Sequence, residues 1–294
     1  FEVMEIQSLA REVEAQGHDV IHLEIGEPDF RTPQPIVDAA KRALDEHRMY
    51  YTSALGLPRL REEISRFYSA RYGVDVPASR IVVTAGSSAA LLLAFGVTLD
   101  PGDEVLLADP GYPCNRHFAR ALGAVPKPIA VGPESRYQLD AAIARAHWGE
   151  ATRMVMVASP SNPTGTLVEH AQIEALAALA REKGGALLVD EIYHGLTYGI
   201  DPQSAAAAGE DVLVVNSFSK YFQMTGWRLG WLVAPPGRVR HLETLAQNLF
   251  ISPSVVAQHA ALACFLPETI EIVEARRREL DERRRYLVPA LERL

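Results

Sequence analysis

Read for side chains able to act as acids, bases or nucleophiles, the 294-residue sequence places its candidates just after short apolar runs. Lys220 ends the segment Ser217-Phe218-Ser219-Lys220, Asp190 and Tyr193 frame DEIY, and Asn162 sits in SPSNPTG. Tyr112 follows Asp109-Pro110-Gly111, and Gly86-Ser87-Ser88 opens a helical pattern. A lysine amine attacks a carbonyl when it is neutral near pH 7, which desolvation or neighbouring cations favour. A carboxylate pairs with a cationic nitrogen, while a phenol and an amide donate hydrogen bonds to an oxygen. A helix start with exposed backbone N–H groups and hydroxyls suits an anion. Taken singly, each has a plain alternative. A lysine after a strand is commonly surface, a strand-ending aspartate caps turns, and Tyr112 could be core packing.

The elements that must position these residues are legible as periodicity. Apolar, β-branched runs at 81–84, 104–108, 124–129, 153–158, 186–190, 212–216 and 229–233 alternate with helical patterns such as 169–183. This predicts an α/β fold, a mainly parallel seven-stranded sheet covered by helices. In such a sheet ligands bind beyond the carboxyl ends of the strands, where the candidates above converge. One carboxylate, one amine, one phenol, one amide, an aromatic face and an anion cradle on one rim match pyridoxal 5′-phosphate, an aromatic pyridinium carrying an aldehyde, a phenolic oxygen and a phosphate.

Composition narrows the class without naming it. With 48% hydrophobic residues the chain has ample material for a large core, and its net charge of −8 argues against a nucleic-acid partner. Cys114 and Cys264 stand far apart, giving neither a metal-ligand spacing nor a disulfide framework, so a reducing, cytoplasmic setting is expected. The uncharged run 81–99 has Thr84, Gly86, Ser87 and Ser88 in its midst and reads as strand, turn and helix, not as a membrane span. Residues 1–47 are expected to form an arm and part of a small α/β domain, with a helix through Arg11 and Glu14 and a short strand at 21–24. Residues 48–266 should form the large domain, and 267–294 a long helix leading into a small domain missing from this chain. The arginine runs 276–278 and 283–285 alternate with acids, as in the pair Glu279 and Arg283, and read as a solvated helix face.

The segments IGEPDF (25–30), YTSALGLPRLR (51–61), SPSNPTG (159–165), DEIY (190–193) and SFSKYFQMTGWRLGW (217–231) closely resemble those of the class I aminotransferases, which have the aspartate aminotransferase fold. The resemblance covers essentially the whole chain, and Lys220 with Arg228 eight residues beyond it is its most specific part. It implies that Lys220 forms the internal aldimine and carries a proton between the substrate α-carbon and the cofactor. It implies that Asp190 pairs with the pyridine nitrogen, that Tyr193 and Asn162 hydrogen-bond the phenolic oxygen, and that Tyr112 stacks on the ring. Arg228, Ser217, Ser219 and the amides of Ser87 and Ser88 would hold the phosphate. Tyr51 matches a tyrosine reaching the cofactor phosphate from the neighbouring subunit, so a homodimer is implied. Gly26 matches a glycine whose backbone meets the substrate, which Asn162 also borders. The family's substrate-carboxylate arginine is expected beyond Leu294.

The implied function is transfer of an amino group from an L-amino acid to a 2-oxo acid through a pyridoxamine phosphate intermediate. Related decarboxylases, β-lyases and synthases keep the same cofactor contacts. A cofactor-sensing regulator would carry a DNA-binding segment, and no basic helix-turn-helix is visible. A nicotinamide oxidoreductase is disfavoured because TAGSSAA at 84–90 lacks the G-x-G-x-x-G spacing.

Overall fold

The computed structural model describes residues 2–294, which divide into two compact units, one ending at Phe30 and one running from Arg31 to Leu294. The first unit holds helix α1 (Glu2–Ala15), closed by Gly17 at φ +91°, and then a non-repetitive segment. The strand expected at 21–24 does not form. A strand requires a neighbour to complete its backbone ladder, and none pairs with it among the described residues. Instead His22 bridges Glu14 at 2.9 Å and Glu24 at 2.7 Å, with Ile21 and Leu23 largely exposed.

The second unit contains α2 (Gln34–Asp45), α3 (Pro58–Tyr72), β1 (Ile81–Thr84), α4 (Gly86–Gly96), β2 (Glu104–Asp109), α5 (Cys114–Ala121) and β3 (Val125–Ala130). It continues through α6 (Ala141–His147), β4 (Thr152–Ala158), α7 (His170–Glu182), β5 (Ala186–Asp190), β6 (Leu213–Ser217) and β7 (Gly230–Val233). It ends with α8 (Val239–Phe250), α9 (Val255–Ala261) and α10 (Pro267–Leu291). The strands form one sheet in the order β1-β7-β6-β5-β4-β2-β3, parallel except for β7, which is antiparallel to both of its neighbours. The seven expected runs match these strands to within a residue at each end.

Apart from the edge strand β3, which is largely exposed, both faces of the sheet are buried, which is why its strands are mostly apolar and do not alternate with polar residues. Val83, Leu106, Val155, Leu187, Val214 and Trp231 belong to one core with Ile36, Leu60, Ile64, Tyr68 and Leu176 of the covering helices. The next residues along the strands, including Val82, Leu107, Met156, Leu188 and Val215, join a second core with Leu93, Phe95, Ala119 and Leu242. Burying one such side chain contributes about 1.5–3 kcal/mol, so neither face tolerates a charge. Helix α2 puts Ile36 and Ala40 into the first core and packs on α9, within the compact unit that begins at Arg31. The uncharged run 81–99 is β1 followed by α4, and no described helix is long and apolar enough to cross a membrane. On α10, Glu279 and Arg283 meet at 2.5 Å and Asp281 and Arg285 at 2.6 Å, as expected of a solvated face. Arg276 departs from that pattern by bonding the Arg31 carbonyl at 2.7 Å and the Gln223 side chain.

Candidate active site

Lys220 stands on a short loop leaving β6, and the loop is fixed by the residues between its polar ones. Phe218 and Phe222 are buried in the first core, with the Phe218 ring 4.9 Å from Trp231 and 5.6 Å from Phe222. The loop is closed by Phe218 N–H to the Leu229 carbonyl at 3.1 Å and Met224 N–H to the Phe218 carbonyl at 3.1 Å. The Tyr221 hydroxyl donates to Glu274 of α10 at 2.6 Å, and its ring lies where a Cβ on Gly195 would stand, 2.5 Å away. Aromatic anchoring therefore leaves Ser217, Ser219 and Lys220 for the site, with the Lys220 Nζ 5.8 Å from the centre of the Tyr193 ring.

The next three strands across the sheet, β5, β4 and β2, supply the other polar groups at their ends. Asp190 closes β5, is buried, and accepts the Ile192 N–H at 3.0 Å. Burial pushes its carboxyl up to about 6, a rise that the Ile192 hydrogen bond opposes and the charge of Glu191 adds to. Tyr193 follows on the same turn and accepts a hydrogen bond from Asn162 Nδ2 at 3.3 Å, from the loop after β4. Its phenol is raised by burial and by the Asp190 charge, and the Asn162 contact partly offsets this. Tyr112, beyond β2, is raised further by burial, by its hydrogen bond with Cys114, and by the charges of Cys114, Tyr193 and Asp190. Tyr112 and Asn162 line one cavity with Asn115, Gln138 and Ser161.

At the start of α4 the backbone is shaped for an anion. Gly86 has φ +77°, and a Cβ there would stand 2.8 Å from an Arg228 guanidinium nitrogen. Gly230 admits the same helix start, since its Cβ would lie 2.9 Å from the Ser87 nitrogen. Arg228 is itself left-handed at φ 53°, a conformation costing a non-glycine residue about 1–2 kcal/mol. That turn, with Arg228 Nη1 on the Thr225 carbonyl at 3.0 Å, brings an exposed guanidinium to the helix N-terminus. Ser217 and Ser219 share a hydroxyl hydrogen bond of 2.9 Å, and Ser217 pairs with Gly230 across β6 and β7. Ser88 lies in the first turn of α4, half-buried.

Tyr51 is 81% exposed, and Gly26 belongs to the first unit, where an added Cβ would meet no atom within 4 Å. Four buried polar residues beside the site were not anticipated. Glu191 accepts from the Ser204 hydroxyl and the Ala205 N–H, and burial pushes its carboxyl up to about 8. His194, 3.6 Å from Glu191, is lowered to about 4 by burial. Asn115 is buried and lines the cavity, with its Oδ1 lacking a hydrogen-bond partner among the described residues. Gln138 bonds the loop that carries Asn162. Glu191 lies within DEIY and His194 directly after it, so both were within reach of the reading, whereas Asn115 and Gln138 carry no local signal.

The donor set fits pyridoxal phosphate. A buried, poised carboxylate suits a ring nitrogen, the Asn162 and Tyr193 pair suits a phenolic oxygen, and the glycine-lined helix start with Arg228 suits a phosphate.

Comparison with known proteins gives the same picture. The family model described as aminotransferase class I and II matches residues 18–294. A valine–pyruvate aminotransferase of Mycobacterium tuberculosis is 41% identical over 270 residues, covering 91% of this chain and 69% of its own. A (5-formylfuran-3-yl)methyl phosphate transaminase of Methanocaldococcus jannaschii is 40% identical over 291 residues, 98% of this chain and 75% of its own. Among solved structures, an aminotransferase from Mycobacterium tuberculosis superposes with a TM-score of 0.95 at 39% identity, over 99% of this chain and 76% of that one. The Thermus thermophilus aspartate aminotransferase with maleate gives 0.94 at 33% identity, over 99% and 77%.

Proposed function

Because this chain belongs to the class I and II aminotransferases, enzymes that move amino groups with pyridoxal 5′-phosphate, we propose that Lys220, Asp190 and Tyr193 are its catalytic residues. Asn162, Tyr112, Ser87, Ser88, Ser217, Ser219 and Arg228 complete the cofactor site. One observation carries this reading. The Asn162 and Tyr193 pair, the buried Asp190 and Lys220 stand at the ends of three adjacent strands, β4, β5 and β6.

When bound, the cofactor supplies an electrophilic carbon for an amine and a ring that withdraws electrons from the substrate α-carbon. The residues of the chain do the rest. Asp190 keeps a proton on the ring nitrogen, because a cation opposite a buried carboxylate restores its charged form. Asn162 and Tyr193 would hydrogen-bond the phenolic oxygen, and Tyr112 would stack on the ring. Arg228 and the α4 amides would hold the phosphate. The Lys220 Nζ carries the proton taken from the substrate α-carbon.

The substrates we assign are an L-amino acid and a 2-oxo acid, with Gly26 and Asn162 bordering them. The name of the Mycobacterium tuberculosis relative makes valine and pyruvate the first pair to try. A homodimer with Tyr51 reaching the neighbouring site accords with its exposure, and a cytoplasmic setting with the two separated thiols. The test is a single turnover. Cofactor-loaded protein given an amino acid and no acceptor should release one 2-oxo acid per site, and release of carbon dioxide or ammonia in its place would contradict amino transfer.

A further inference from the structure

The loop at 159–165 carries Asn162, and the Gln138 side chain reaches both of its stems. We infer that Gln138 is a positioning residue for the cofactor's phenolic oxygen, acting by clasping both stems of this loop. Its Nε2 donates to the Ala158 carbonyl at 3.2 Å on one side, and to the Thr166 carbonyl at 2.9 Å and hydroxyl at 3.1 Å on the other. The two amide hydrogens thus close the loop at its base, one to each stem. Two carbonyl acceptors on the same atom also settle which end of the amide faces the loop. Within the loop, Ser161 N–H donates to the Thr166 carbonyl at 2.9 Å and Gly165 N–H to the Ser161 carbonyl at 2.8 Å. The clasp therefore bears directly on the residue preceding Asn162.

The backbone delivering Gln138 is shaped for that purpose. Arg136 and Tyr137 are consecutive non-glycine residues at φ 56° and 57°, a conformation L residues rarely adopt in sequence. The turn is tied by Tyr137 N–H to the Gly132 carbonyl at 2.7 Å, and Leu139 is fully buried immediately after it. Between these two anchors Gln138 is buried and lines the same cavity as Tyr112, Ser161 and Asn162. A donor so placed governs the 3.3 Å contact of Asn162 with Tyr193, and hence where two hydrogen-bonding groups meet the phenolic oxygen. This rests on the assignment of Asn162 and Tyr193 to that oxygen.

The test is the pH midpoint of the visible absorption band of the pyridoxal phosphate-loaded protein, which reports on the hydrogen bonds around the phenolic oxygen. Asn162→Ala should raise the midpoint. Gln138→Met, of similar shape and without a donor, should raise it by roughly 0.5–1 pH unit, the scale of one neutral hydrogen bond. Should Gln138→Met fail to fold, Gln138→Asn keeps an amide too short to span both stems and should show part of the rise. In the Asn162→Ala background the Gln138 substitution should add no further shift. A lower melting temperature with an unmoved midpoint, or a full-sized shift persisting in that background, would overturn the inference and leave Gln138 a structural residue. If Asn162→Ala itself leaves the midpoint in place, the site assignment fails, and the role of Gln138 falls with it.

Discussion

Asp190, the proposed partner of the cofactor's ring nitrogen, is costly to the cofactor-free protein, and the size of that cost follows from its burial. Burial raises its carboxyl from 3.8 to about 6, so between those values the folded state holds a proton that the unfolded state has released. Stability of the cofactor-free protein therefore falls as pH rises through this window. At one pH unit per 1.36 kcal/mol, the ionised Asp190 costs about 3 kcal/mol at pH 7 and about 1 kcal/mol at pH 4.5. Asp190→Asn keeps an oxygen for the Ile192 N–H and removes the charge. Its cofactor-free form should be more stable than the parent by these amounts, a gap that widens from pH 4.5 to 7, while its transaminase activity collapses. Urea unfolding of both proteins at matched concentration, across that pH range, measures the gap. A gap independent of pH, or an asparagine variant less stable throughout, would refute the argument.

Other residues give equally direct expectations. Arg228→Ala should weaken pyridoxal phosphate binding by about 1.5–3 kcal/mol, measured by titrating cofactor-free protein, because a charged hydrogen-bonding partner is lost. Gly86→Ala should weaken binding in the same titration, since its Cβ would stand 2.8 Å from the Arg228 guanidinium. It should also lose about 1–2 kcal/mol of stability for the left-handed backbone at φ +77°. Tyr193→Phe should preserve the fold and raise the pH midpoint of the loaded protein's visible band, a shift read by absorbance. Mixing inactive Lys220→Ala and Tyr51→Ala proteins should restore activity if Tyr51 serves the neighbouring subunit, because each hybrid then contains one intact site. Absence of recovery after verified subunit exchange would place Tyr51 elsewhere.

Much of the fold was legible because a sheet buried on both faces writes each strand as an unbroken apolar run, as in 81–84 and 186–190. Residues that share a strand end with their neighbours in sequence, such as Asp190 with Tyr193 and Ser217 with Lys220, were legible for the same reason. The segment 21–24 misled because strand propensity does not supply a partner strand. The packing of Ile36 and Ala40 of α2 into the core beside α9 is a long-range contact that the Pro-rich stretch before it does not announce. Gln138 and Asn115 were out of reach because their roles depend on a loop and a cavity assembled from distant segments. Phe218 and Phe222 gave a readable signal in their interleaving with Ser217, Ser219 and Lys220, since one set had to face the core.

The central claim is that Lys220 holds the cofactor, and borohydride reduction of the pyridoxal phosphate-loaded protein followed by peptide mapping tests it most directly. The account predicts a visible band that reduction abolishes, a cofactor mass added to the peptide containing Lys220, and neither in a folded Lys220→Ala variant. A mass on a different lysine, or no band from folded protein supplied with cofactor, would contradict it.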